Sequence, residues 1–132
     1  MLYTRKIISA TTTLSENANA PTATPAFKNP HTVRSFFAKG TATGAPAITV
    51  QLKVAVAEAG PFAIPLDKAG VPVPALSFAA TVAAQFAGPV APIDTLSEFP
   101  WGRFELVQTV GAANYDLTEF SVVKDDEDGE VL

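Results

Sequence analysis

The stretch that most constrains this chain is Ala47 to Ala57, where Ile48, Val50, Leu52, Val54 and Val56 alternate with Thr49, Gln51, Lys53 and Ala55. Strict period-two alternation places all five branched or long apolar side chains on one face, whereas a helix would scatter them around its axis. The segment is a β-strand with one buried face. Burying five such side chains is worth roughly 1.5–3 kcal/mol each, on the order of 10 kcal/mol before conformational entropy is subtracted. Such a strand needs partner strands and an opposing apolar layer.

Candidate partners surround it. Upstream, His31 to Lys39 sets Val33, Phe36 and Phe37 among Thr32, Arg34 and Ser35, and the link Gly40-Thr41-Ala42-Thr43-Gly44-Ala45-Pro46 has turn chemistry at both ends. The two segments are expected to form an antiparallel hairpin with a loose tip. Leu76 to Phe86 has helix-favouring alanines, yet Leu76, Phe78, Ala80, Val82, Ala84 and Phe86 alternate with smaller or polar residues, which predicts a strand. Pro61 to Leu66 and Val71 to Pro74 read as short edge strands or extended connections, because proline donates no ladder hydrogen bond. Prolines at 61, 65, 72, 74, 89, 92 and 100 also keep long helices out of this half.

Arg103 to Val110 and Asn114 to Val123, separated by Gly111-Ala112-Ala113, are expected to form a last hairpin. Phe104 and Leu106 point inward from its first strand. In the second, Phe120 and Val122 share one face while Tyr115 and Leu117 take the other, which requires a register change or burial on both sides. With Tyr3 to Thr13 as an opening strand, the count reaches seven or eight. The expected fold class is all-β, an antiparallel β-sandwich of jelly-roll or immunoglobulin-like type.

A chain of 132 residues suits one domain. That domain is expected over residues 1–123, including an extended arm at 15–30, with an acidic tail at 124–132. The arm carries Pro21, Pro25 and Pro30 among Asn, Thr and Ala, and its 16 residues exceed the usual loop length, so it is either mobile or docked on a neighbour. The tail sets Lys124 against Asp125, Asp126, Glu127, Asp128 and Glu130, which leaves eight basic and eight acidic residues in the body. Five close acids repel one another and stay solvated unless a basic partner covers them.

Function classes narrow quickly. With no cysteine there are no disulfides, iron-sulfur clusters, Cys-ligated zinc or thiol nucleophile, and a lone His31 cannot build a multi-histidine metal site. His31, next to Pro30, reads as a turn or packing residue. Nine Lys and Arg without a cluster supply no basic stripe for nucleic acid. The N-terminus lacks the apolar core of an export signal, and no run approaches the length of a membrane span. The chain is therefore expected to be made in a host cytoplasm, without nucleic-acid or membrane partners.

Asp67, Asp94, Glu98, Glu105, Asp116 and Glu119 have no distinguishing partners and read as solvated carboxylates, not a catalytic pair. The glycines are too dispersed for a phosphate loop. The tail imitates the start of a calcium loop, but aligning Gly129 puts Lys124 at the first ligand position and leaves nothing for the twelfth. Enzymatic activity and cofactors are not expected. Phe99-Pro100-Trp101-Gly102-Arg103 is the most specific local feature. An exposed Trp101 flanked by Arg103 could stack on a sugar, with Tyr3 or Tyr115 completing the platform, or anchor a protein interface; in the plain structural reading Trp101 plugs one end and Arg103 pairs with an acid.

The Thr/Gly-rich turn leading into Ala47-Ile48-Thr49-Val50-Gln51-Leu52, with Pro100-Trp101-Gly102-Arg103-Phe104-Glu105-Leu106 running on to Tyr115-Asp116-Leu117-Thr118, resembles small virion structural proteins of tailed bacteriophages over residues 32–123. In those proteins a Pro-Trp or Pro-Trp-Arg lead-in precedes the penultimate strand; here Gly102 separates Trp101 from Arg103. The resemblance implies a β-sandwich that assembles, with no catalytic residues to carry over. The expected role is a capsid decoration or cement protein on the head exterior, a homo-oligomer with threefold contacts favoured, its partners the major capsid protein or other virion proteins. A neck, adaptor or baseplate subunit and a carbohydrate-binding module are the alternatives. The expected interaction surface comprises Phe99, Trp101, Arg103, Pro21, Pro25, Pro30, Asp125, Asp126, Glu127 and Asp128.

Overall fold

The computed structural model describes residues 1–17, 20–80, 83–90, 99–127 and 129–131, with only the backbone described at 83–86. Two antiparallel sheets pack face to face. The first contains β1 (Tyr3–Ile8), β2 (Thr12–Leu14), β5 (Val33–Thr43), β8 (Ala83–Pro89), β10 (Asn114–Lys124) and β11 (Glu130–Val131). Its order is β11-β1-β10-β5-β8, with β2 also on β10. The second contains β3 (Thr22–Ala23), β4 (Phe27–Lys28), β6 (Ala47–Ala55), β7 (Leu76–Ala79) and β9 (Trp101–Gln108), ordered β3-β9-β6-β7 with β4 also on β9. From β5 to β10 every connection crosses between sheets except that from β6 to β7, which is the jelly-roll arrangement.

Both expected hairpins are therefore corrected. β5 pairs with β10 and β8, while β6 pairs with β7 and β9. The link between β5 and β6 is a corner between layers, turned by Gly44 at φ 75° and closed by Pro46. β5 buries Val33, Phe36, Ala38 and Ala42, and β6 buries Ile48, Val50, Leu52 and Val54; one complete apolar face covers the other only if the strands lie in opposite sheets. β9 and β10 are separated in the same way by a corner in which Ala112 has φ 59°. The expected strand at 76–86 is two strands, β7 and β8, on different sheets; Thr81 and Val82 lie outside the described residues.

The register change expected in the last long strand is present. A bulge between Leu117 and Glu119 in the pairing of β10 with β5 shifts the alternation, so Tyr115, Leu117, Phe120 and Val122 are all buried. The core is aromatic. Phe104 of β9 lies 5.4 Å from Phe120 and 5.8 Å from Phe27, and Phe36 lies 5.8 Å from Phe120 between ring centroids. Burial pushes the Tyr115 hydroxyl up to about 12.

Both appendages belong to the sandwich. The arm is extended, yet β3 and β4 add to β9 of their own chain, and Phe27, Thr24 and Pro30 are buried. A mobile arm or one docked on a neighbour is thereby corrected. The cause is Phe27, whose ring fills the core beside Phe104.

Candidate functional site

Strand register identifies one end of the sandwich at which separate parts of the sequence meet. There β1 begins, with Tyr3 opposite Lys124; β5 begins, with Val33 also opposite Lys124; and β9 begins, with Trp101 between Lys28 and Ala55. The turn at 29–32 bridges the sheets. Asn29 N–H donates to the Pro100 carbonyl and Asp125 N–H donates to the Thr32 carbonyl, both at 2.9 Å. The aromatic lead-in and the acidic tail, distant in sequence, are thus held on one short segment.

The start of the tail is a clasp. Lys124 is fully buried, and its Nζ donates to the Lys28 carbonyl at 2.6 Å, lies 3.5 Å from an Asp126 oxygen and sits 5.6 Å from the Phe27 ring centroid. Asp126 Oδ2 also accepts from Thr32 Oγ1 at 2.8 Å and Asn29 Nδ2 at 3.4 Å. Asp125 pairs with Arg34 at 3.2 Å and lies 3.9 Å from the N-terminal amine. A solvated tail is therefore corrected for Lys124 and Asp126, since a buried ammonium requires a counter-charge and Asp126 supplies one, while Asp125 stays exposed beside Arg34. Glu127 and Glu130 are exposed, with Glu130 opposite Thr4 on β1, and Asp128 lies outside the described residues.

The outward face of the second sheet holds a different cluster. Trp101, Arg103 and Glu105 alternate along β9 and meet Lys28 of β4 and Lys53 of β6. Gly102 explains the spacing. It faces inward, where a Cβ would lie 2.7 Å from Pro30 Cβ and 3.3 Å from Phe27 Cε2, so this glycine lets the arm close over the core and leaves Trp101 and Arg103 on the same outer face.

Glu105 is almost buried. Arg103 Nη2 and Lys53 Nζ each approach its carboxylate at 2.8 Å. Burial is the largest influence and opposes its charge, but the hydrogen bonds and charges of Lys53 and Arg103 together outweigh it and hold the carboxyl below its ordinary value. Arg103 also lies 4.3 Å from the Phe62 ring centroid, and Lys28 Nζ lies 5.8 Å from that of Trp101.

Beside this face, the connection from β6 to β7 forms an apolar groove of about 480 Å³ whose lining includes Val56, Pro61, Ile64, Leu66 and Phe99. Val56 is 70% exposed, Leu66 49% and Ile64 42%. Met1, Leu2 and Val131 are also exposed and lie at this end by their position before or opposite Tyr3. The exposed apolar side chains around the groove are the usual mark of a contact surface; Met1, Leu2 and Val131 belong to the edge of the first sheet.

Of the expected surface residues, Phe99 lines the groove, Trp101 and Arg103 lie on the outer face of β9, Asp125 and Asp126 belong to the clasp, and Pro30 is buried beneath Gly102. Pro21 and Pro25 are exposed beside β3. Arg103 does pair with an acid, while Trp101 is half-buried on the outer face. Tyr115 lies in the core and cannot join Trp101 in a sugar platform, whereas Tyr3 lies on the first sheet at the same end. Glu105 is likewise no solvated carboxylate. Asp67 accepts from the N–H groups of Ala69 and Val71, Asp116 accepts from Thr13, and Glu119 pairs with Lys6; Asp94 and Glu98 lie outside the described residues. His31 is exposed, its carbonyl accepting from Arg34. Among the described residues no three His, Asp or Glu side chains are grouped to hold a metal ion, and no helix is long and apolar enough to cross a membrane.

The sequence reading missed Lys28, Lys53 and the groove lined by residues of 54–70 and Phe99. Period-two alternation does carry Lys53 to the outer face of β6, but its meeting with Glu105 depends on the pairing of β6 with β9.

No family model and no curated protein matches the sequence. Among solved structures, carbohydrate-binding module CBM36 in complex with calcium and xylotriose is similar at 15% identity, over 92% of this chain and 88% of that one, with a TM-score of 0.48. A family two carbohydrate esterase from Cellvibrio japonicus is similar at 14% identity, over 100% of this chain but 37% of that one, with a TM-score of 0.45. A chain of the T13 IBDV viral particle is similar at 11% identity, over 93% of this chain but 30% of that one, with a TM-score of 0.44. At these identities the likenesses are of architecture alone.

Proposed function

We propose that this protein is a structural subunit of a bacteriophage virion, a decoration or cement protein that seats its Trp101 end on the outer head shell and stabilises it. The observation that carries this reading is the exposed apolar groove at that end, with Val56, Ile64 and Leu66 around it. The major capsid protein is the partner, and the mechanism is mechanical: surface buried against the shell must be exposed again before the shell opens. The carboxylate best placed for chemistry, Glu105, is occupied by Lys53 and Arg103, which suits a scaffold.

The test is copy number per major capsid subunit, measured by quantitative mass spectrometry of purified particles, combined with rebinding of the Val56→Asp/Leu66→Asp variant. Each apolar side chain buried is worth about 1.5–3 kcal/mol, so the double variant should bind stripped shells on the order of a hundredfold more weakly while melting normally. Hundreds of copies and weakened rebinding are expected. A dozen or fewer would place the protein in the neck or tail, and its absence from particles would overturn the virion reading.

A further inference from the structure

We infer that the outer face of the second sheet is a self-association site, and that its occupant is the acidic tail of a second copy of this chain. Among the described residues of this face, Lys53 and Arg103 flank one carboxylate, Glu105, and Lys28 stands farther along it beside Trp101, three cations to one acid on a chain whose net charge is −4. Lys28 is exposed at the rim of this face, over Trp101.

The complementary charge lies in the tail. Asp125 and Asp126 are committed to Arg34 and Lys124; Glu127 and Glu130 are exposed, Glu130 close enough to Lys6 to feel its charge. Pairing of β11 with β1 holds Glu130 opposite Thr4 on the first sheet, the other layer from Lys28 and Arg103. The tail therefore meets a cationic face between molecules. Both features lie toward the same end, so a twofold pair exchanges two such contacts, while a one-way contact closes a ring. Charge complementarity at exposed positions also makes assembly sensitive to salt. This inference stands apart from the virion reading, since self-association is measured on the purified chain alone.

The experiment is sedimentation velocity of the full chain, with Trp101 emission as a second readout, at about 20 mM and about 500 mM salt. Wild type should associate at low salt and dissociate at high salt. Lys28→Glu and the double variant Glu127→Lys/Glu130→Lys should each weaken association by roughly tenfold, and combining all three substitutions should restore it. All three side chains are exposed, so the variants keep the fold, which an unchanged melting profile verifies. A wild-type monomer at low salt, association indifferent to salt, or a combined variant no better than its components would overturn the inference.

Discussion

Removing the amine of Lys124 while keeping its stem tests the clasp most directly. Lys124→Met leaves the methylene chain against Phe27 but deletes the donor to the Lys28 carbonyl and the counter-charge of Asp126. Breaking a fully buried ion pair from one side costs about 3–5 kcal/mol. Asp126 is only partly buried and keeps its bonds from Thr32 and Asn29, so the expected loss is lower, about 2–3 kcal/mol. Lys124→Ala also removes three methylenes, worth about 0.8 kcal/mol each, and should cost about 2 kcal/mol more. Urea unfolding followed by Trp101 emission gives both values, because Trp101 is the only tryptophan and lies one strand from Lys28. Lys124→Met combined with Asp126→Asn should recover part of the loss, since no charge is then left without its partner. A loss below about 0.5 kcal/mol for Lys124→Met would refute the clasp and return Lys124 to the solvated tail.

Two further predictions concern the outer face. The folded Glu105 carboxyl ionises below its ordinary value, so it contributes stability above the ordinary value of 4.5 and loses that contribution as pH falls through the depressed folded value; Glu105→Gln should flatten denaturant midpoints over that acid range. An unchanged acid profile would remove Glu105 as its source. Gly102→Ala should cost about 1–3 kcal/mol by pressing on Pro30 and Phe27, and should speed hydrogen exchange at Asn29 and Thr32 before the core of β10 opens. A neutral effect on both measurements would show that the arm yields easily.

What was legible in the sequence was the set of strands and their inward faces. Ile48 through Val54, Phe104 and Leu106, and the conflict between Tyr115 and Phe120 all follow from period-two alternation, which is a local property. Pairing was not legible. A short link containing Gly44 reads equally as a hairpin tip or as a corner between sheets, and only the need for one full apolar face to cover another separates the two. The arm was misread because its prolines and alanines outnumber its one decisive residue, Phe27. Lys124 was misread because a charge run reads as solvated, although the same run supplies the carboxylate that permits a buried lysine.

The jelly-roll connection pattern itself brings the site together. Because most connections from β5 to β10 cross between sheets, the start of β9, the turn before β5 and the end of β10 reach the same end from 101, 29–32 and 124. That end is fixed internally by charge, through Lys124 and Asp126, while it presents Val56, Ile64 and Leu66 outward. A rigid base lowers the ordering cost of any contact made through the apolar groove, so little of the energy gained on docking is spent on organising the surface. Loosening the clasp should therefore weaken docking even where no contacting residue has changed, a coupling that comparing Lys124→Met with Val56→Asp on the same partner would expose.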